Sequence, residues 1–157
     1  MKHWTNPVTG QSMAVADMHG ESLCTTAVRA LQQMLRSSGI NADPLAVVQA
    51  HVAAVRTGDP VLMAADYAPQ ALITRGSQIV APRAYFPGVA RRLGNSRLVV
   101  SAITVASPTG TAPDVSTVTM HWQLAGGRAD GTRGTDTFLV HADRIVHQTV
   151  LLHTADF

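Results

Sequence analysis

Apolar residues change their period part-way along this chain. From Ser22 to Ser38 they recur every three or four positions, at Leu23, Ala27, Ala30, Leu31, Met34 and Leu35, which predicts an amphipathic helix ended by Gly39. A second helix is predicted over Leu45 to Thr57, with Asp43 as N-cap, Pro44 in its first turn and Gly58 as its stop. Asp59-Pro60 repeats that start for a shorter helix through Tyr67, and a short strand, Ala71 to Thr74, follows. A further helix covers Arg83 to Leu93, bent or interrupted at Pro87. Beyond it the period becomes two: Arg97 to Ala106, Ser116 to Leu124, Thr135 to Val140 and Ile145 to His153 read as strands, separated by connectors loaded with Gly, Pro, Thr and Asp. Helices first and long antiparallel strands afterwards predict an α+β domain over residues 43–157, a curved, mostly antiparallel sheet wrapped round three helices. The helix within residues 21–40 is an addition to it, and residues 1–20, which lack periodicity, read as a flexible leader.

Composition narrows the partners. In 157 residues, 46% are hydrophobic and only 14% charged, so the chain is expected to fold as one core rather than remain disordered. Its net charge of +2 comes with a single adjacent basic pair, Arg91-Arg92, and aromatics are 4%. A nucleic-acid surface needs a basic stripe interleaved with aromatics, so no nucleic-acid partner is expected. The one cysteine, Cys24, excludes an internal disulfide and a multi-cysteine zinc cluster. No apolar run approaches the ~18 residues of a membrane span, and the first residues lack a signal-peptide core, so a cytoplasmic protein without membrane contact is the expectation.

Two segments carry a resemblance. Ala46 to Asp59 is similar, nearly position for position, to the first helix of the ketosteroid isomerase family, with His51 where that family has a tyrosine. Gly134 to Val140 resembles the family strand whose aspartate stays protonated and donates a hydrogen bond to the substrate oxygen, and Asp136 takes that place. The resemblance covers about Asp43 to Leu152. It implies the nuclear transport factor 2-like fold, on the ketosteroid isomerase and polyketide cyclase-like branch, cone-shaped and paired as a homodimer through its sheet. The family's proton-moving aspartate would fall within Leu72-Ile73-Thr74-Arg75-Gly76, where no carboxylate stands.

Candidate chemistry follows from these positions. His51 shares a helix face with Val47, Val48 and Val55 and should point inward, either as a core imidazole satisfied by a carbonyl or as a base or oxygen ligand. Asp136 alternates with Phe138 and Val140, which would bury its carboxyl and raise its pKa; the other reading has it capping a turn in water beside Gly134. If both point inward, Asp136 would orient His51 as a general base. Arg75 cannot accept a proton, and reads either as a solvated turn residue or as an anchor for an anionic group. Met120 and Trp122 on one strand read either as plain core or as a ligand wall, and Gln148, Val150 and Leu152 on the last stand at positions that the resemblance implies face the pocket; together they describe an apolar cavity with few polar points, with Tyr67 and Phe138 as further wall residues. The remaining strand histidines, His121, His141, His147 and His153, lack metal-ligand spacing, so no metal is expected, and no cofactor.

The expected ligand is therefore a small apolar oxygenated molecule. Two functions are open: cofactor-independent proton transfer (isomerisation, cyclisation or dehydration) with His51 and Asp136 as catalytic pair, or a ligand-binding or dimeric assembly module that kept the cavity and lost the base.

Overall fold

The computed structural model describes residues 3–5, 12–14, 23–37, 42–106, 108 and 114–154. In chain order the elements are β1 (His3–Thr5), β2 (Ser12–Ala14), α1 (Leu23–Ser37), α2 (Pro44–Thr57), α3 (Pro60–Ala65), β3 (Tyr67–Arg75), β4 (Gln78–Val80), α4 (Pro82–Leu93), β5 (Arg97–Ala106), β6 (Val115–Ala125), β7 (Arg133–His141) and β8 (Arg144–Leu152). β3 to β8 form one mixed sheet in the order β4-β3-β8-β7-β6-β5, in which only β3 and β8 run parallel. β1 and β2 pair with each other as a separate two-stranded ribbon within the stretch read as a leader. The expected terminator Gly39 lies outside the described residues.

Local chemistry accounts for the helix that matters most. Asp43 caps α2 through its carboxylate, which accepts from the Leu45 N–H at 3.1 Å, and Pro44 supplies a preset φ at the first turn. At the other end Gly58 adopts φ 76°, a left-handed conformation that costs a side-chain-bearing residue about 1–2 kcal/mol. Asp59 and Pro60 repeat the start for α3, which stops at Ala65, so that Tyr67 opens β3 instead of closing a helix. Pro87 lies inside α4, which nonetheless runs through to Leu93.

The sheet's inner face meets α2 and α4 in a single core that includes Val47, Val48, Met63, Ile73, Phe86, Val118, Phe138 and Ile145. Each such side chain, fully removed from water, contributes roughly 1.5–3 kcal/mol. Register decides what else faces inward. Between Leu139/His147 and Val140/Ile145 the ladder of β7 and β8 shifts, leaving Val146 extra. That bulge keeps Ile145 and Gln148, three residues apart, on the same buried face. The added helix α1 docks on α2 and α3 through Val28, and through Gln32, which donates to the Asp66 carboxylate at 2.9 Å. Among the described residues no helix is long and apolar enough to cross a membrane.

Candidate functional site

Between α2, α4 and the inner face of the sheet lies a cavity of about 60 Å³. Helix α2 contributes His51, Val52 and Val55; α4 contributes Tyr85, Phe86, Val89 and Leu93; the strands contribute Leu98, Met120, Trp122, Leu124, Asp136, Gln148 and Val150. The walls are apolar apart from four side chains, His51, Tyr85, Asp136 and Gln148, with the Trp122 N–H as a fifth polar point.

Those polar groups are joined. Trp122 Nε1 donates to Asp136 Oδ1 at 2.9 Å, and Gln148 Nε2 donates to Asp136 Oδ2 at 2.8 Å. The Tyr67 hydroxyl donates to Gln148 Oε1 in a short hydrogen bond, and Tyr67 Oη lies 3.3 Å from His51 Nε2. Because Tyr67 spends its proton on Gln148, its oxygen accepts from His51, which places the proton of the neutral ring on Nε2. Nδ1 makes no hydrogen bond of normal geometry, although the Met63 backbone lies close enough to it to favour a proton on the ring. Every donor in this chain points the same way, from His51 through Tyr67 and Gln148 to the carboxylate, an alignment in which each bond polarises the next.

Burial sets the charge at both ends. Asp136 is 7% exposed, and desolvation raises its pKa from 3.8 to about 6, against the two N–H donors of Trp122 and Gln148, which hold it down. His51 is lowered from 6.5 to about 4 by the same loss of water, and the backbone of Met63, which would accept from the protonated ring, pulls it part of the way back. Burial also pushes the Tyr67 hydroxyl well above its usual 10. At neutral pH the site therefore holds a neutral imidazole and a carboxylate that is close to taking up a proton.

Neither protein-family models nor curated proteins match this sequence. Solved structures do match it. A chain from Thiobacillus denitrificans named for the calcium/calmodulin-dependent protein kinase type II association domain superposes with a TM-score of 0.57 at 18% identity, covering 74% of this chain and 100% of that one. The Bre5 cofactor complex of the yeast deubiquitinase Ubp3 gives 0.55 at 16%, covering 72% and 96%. A nuclear transport factor 2-like protein of unknown function from Cytophaga hutchinsonii gives 0.52 at 9%, covering 74% and 93%. This chain has the nuclear transport factor 2-like fold. At such identities the likeness extends to the fold and no further.

Within that fold, the cavity brings together His51, Asp136, Met120, Trp122, Gln148 and Val150 from the residues singled out by sequence. Four others stand elsewhere. Tyr67 and Phe138 lie behind the wall, packed on His51 with ring centroids 5.2 and 5.7 Å away, and fill the core instead of facing the cavity. Leu152 is partly buried at the end of β8, opposite Gly134, and Arg75 is partly buried at the end of β3, opposite Val150. The expected contact between Asp136 and His51 is replaced by the relay of Gln148 and Tyr67, so the carboxylate does not orient the imidazole directly. The reading of Asp136 as a turn cap in water is excluded by its burial.

Two positions of the site have no counterpart among the residues singled out by sequence. Tyr85 faces the cavity from α4, beside Phe86, Val89 and Leu93, whose three- and four-residue spacing was the available signal. Gly134 is the other. A Cβ there would lie 2.7 Å from the Trp122 ring and 2.8 Å from the Leu151 carbonyl, so only glycine lets the indole lie across β7 and reach Asp136 two residues on. Among the described residues no three metal-ligating side chains converge.

Proposed function

We propose that this chain is a cofactor-independent enzyme that moves a proton on a small, compact, oxygenated molecule, and that Asp136 is the group that takes and returns it. One observation carries the reading: a buried carboxyl opens on a mostly apolar cavity, with its pKa raised to about 6. A general base is most effective when its pKa lies near the working pH, because it is then ionised and still has proton affinity. The Asp136 carboxylate would remove a proton from carbon beside a carbonyl, leaving the electron pair as an enolate, and the resulting acid would return the proton to the same or an adjacent carbon. His51, lowered to about 4, is too weak a base for this step and serves as a neutral hydrogen-bond donor at the far end of the relay. A cavity of about 60 Å³ lies well below the ~300 Å³ at which drug-sized pockets begin, so the reacting part of the substrate is a few atoms across, not a steroid.

The test is deuterium incorporation from heavy water into a panel of small ketones and oxo acids, with wild type and Asp136→Asn. We expect wild type to catalyse exchange on at least one member, and the variant to lose about 100-fold or more. Absence of exchange by wild type across the panel moves the assignment to the second reading.

That reading, a binding or assembly module, draws on the outer face of the same sheet. Thr74, Thr149, Thr137, Thr119 and Thr104 lie in one row across five strands, flanked by the exposed Leu72 and Leu151. A broad, uncharged face of this kind suits a second copy of the chain, and two of the structural neighbours are named for assemblies. A homodimer through this face is compatible with either function; Leu151→Glu should shift a dimer to monomer in sedimentation.

A further inference from the structure

The inner face of the sheet ends in a cation. Arg75 on β3 stands opposite Val150 on β8, and Val150 stands opposite Asp136 on β7, so guanidinium and carboxyl belong to one row, two strands or about 10 Å apart along the backbone. Alternation puts Arg75 on the same face as the buried Ile73. Between them, from the facing helix α4, comes Tyr85. Its side chain is hydrogen-bonded to Arg75 and feels the charges of both Arg75 and Asp136, the first lowering and the second raising a pKa that burial has already pushed up. Tyr85 is also a wall of the cavity, whereas Arg75 lies just outside it.

Arg75 has donors to spare. It is partly buried, and among the described residues no carboxylate pairs with it. A guanidinium carries five N–H donors in a planar fork suited to a carboxylate, and the Tyr85 hydroxyl occupies a fraction of them. The cavity's volume adds a constraint. At about 60 Å³ it is far smaller than the ~300 Å³ at which drug-sized pockets begin, so it takes the reacting end of a substrate, a carbonyl and its neighbouring carbon. Anything else the substrate carries must extend beyond it, and Tyr85, which lines the cavity, has Arg75 beside it.

We infer that the substrate is a small 2-oxo acid, its carboxylate held by Arg75 and Tyr85 and its carbonyl-activated C–H placed over Asp136 inside the cavity. The inference rests on the proton-transfer reading of the same cavity. The ionised Asp136 takes the proton from C3; the C–H electron pair becomes the C2–C3 double bond while the C2 carbonyl pair moves to oxygen, giving the enolate. The protonated Asp136 then returns its proton to C3, so no oxidant, reductant or leaving group is required. Arg75 offsets the charge that the substrate carboxylate brings near Asp136 and so keeps the base ionised. Arg75 is thus a binding residue in this scheme, and Asp136 the catalytic one.

The experiment compares deuterium exchange at C3 of 2-oxobutanoate with exchange into butanone, which has a similar carbon skeleton without the carboxylate. It uses wild type, Arg75→Gln and Arg75→Lys, each first confirmed by thermal melting to be folded. We expect wild type to prefer the oxo acid in kcat/KM by at least about tenfold, a margin set by loss of a charge-paired contact. Arg75→Gln should raise KM for 2-oxobutanoate with kcat little changed and so shrink the preference over butanone, and Arg75→Lys should recover part of the loss. Equal handling of the two substrates, or an equal loss on both in Arg75→Gln, overturns the 2-oxo acid assignment while leaving Asp136 as the base. No exchange on either substrate by wild type overturns both.

Discussion

His51 on α2 and Asp136 on β7 occupy opposite ends of one hydrogen-bonded chain, and the same burial drives them apart chemically. Loss of water favours the neutral form of each, which lowers the imidazole to about 4 and raises the carboxyl to about 6. The histidine becomes inert as a base at neutral pH, while the aspartate acquires a proton affinity useful there. Residue type alone would assign these roles the other way round. What separates the two is how a desolvated site treats a cation-forming and an anion-forming group.

The largest effect that could break this contrast is catalytic. Asp136→Asn should reduce proton exchange by about 100-fold or more, whereas His51→Gln, which keeps a polar partner near Tyr67, should stay within about tenfold of wild type. Equal losses in kcat would place the two residues in one catalytic unit and remove the distinction.

Stability against pH sharpens the contrast next. For Asp136 the folded pKa lies above the unfolded one, so the folded state binds the extra proton between 3.8 and about 6, and this residue's contribution falls as pH rises through that window. For His51 the folded pKa lies below the unfolded one, so its contribution falls as pH drops from 6.5 to about 4. In wild type the two slopes oppose each other over their common range. Asp136→Asn removes the buried charge but can accept only one of the two N–H bonds from Trp122 and Gln148, so the sign of its effect at pH 7 is not the test; relative to wild type it should become steadily less stable as pH falls from about 6 towards 3.8, because only wild type gains the bound proton. It should also expose the histidine slope, with stability dropping steadily below pH 6.5. Urea titrations at several pH values between 4 and 7.5 measure both.

A smaller effect probes the support of the carboxylate. Gly134→Ala sets a Cβ against the Trp122 ring and the Leu151 carbonyl, and should cost about 1–3 kcal/mol in chemical denaturation. It should also move the Asp136 titration upward, because the displaced indole no longer donates to Oδ1.

Much of this architecture could be read before the structure, and the reasons are local. Asp43, Pro44 and Gly58 mark both ends of α2, and alternation through Asp136, Phe138 and Val140 orients β7, so a helix facing a strand with His51 and Asp136 inward follows from short-range signals. β4 was unread because three residues are too few to show a period. Val61, Leu62 and Met63 continue a helical pattern towards Tyr67, but the chain turns at Asp66, whose carbonyl accepts from the Ile145 N–H of β8. The relay itself had no local signal. Gln148 comes into line with Asp136 through a bulge at Val146, and Tyr67 through the parallel pairing of β3 with β8, so the gap between His51 and Asp136 is set by tertiary register and not by spacing. Gly134 illustrates the same limit, since its turn-like appearance conceals a strand position reserved for the Trp122 indole.

Burial raises the Asp136 carboxyl to about 6 where it faces the cavity. Carbon-13 NMR of the side-chain carboxyl, assigned by its disappearance in Asp136→Asn and followed from pH 3 to 8, tests this most directly. A single transition near pH 6 is predicted; titration near 3.8, the value of a carboxyl in water, would contradict the account.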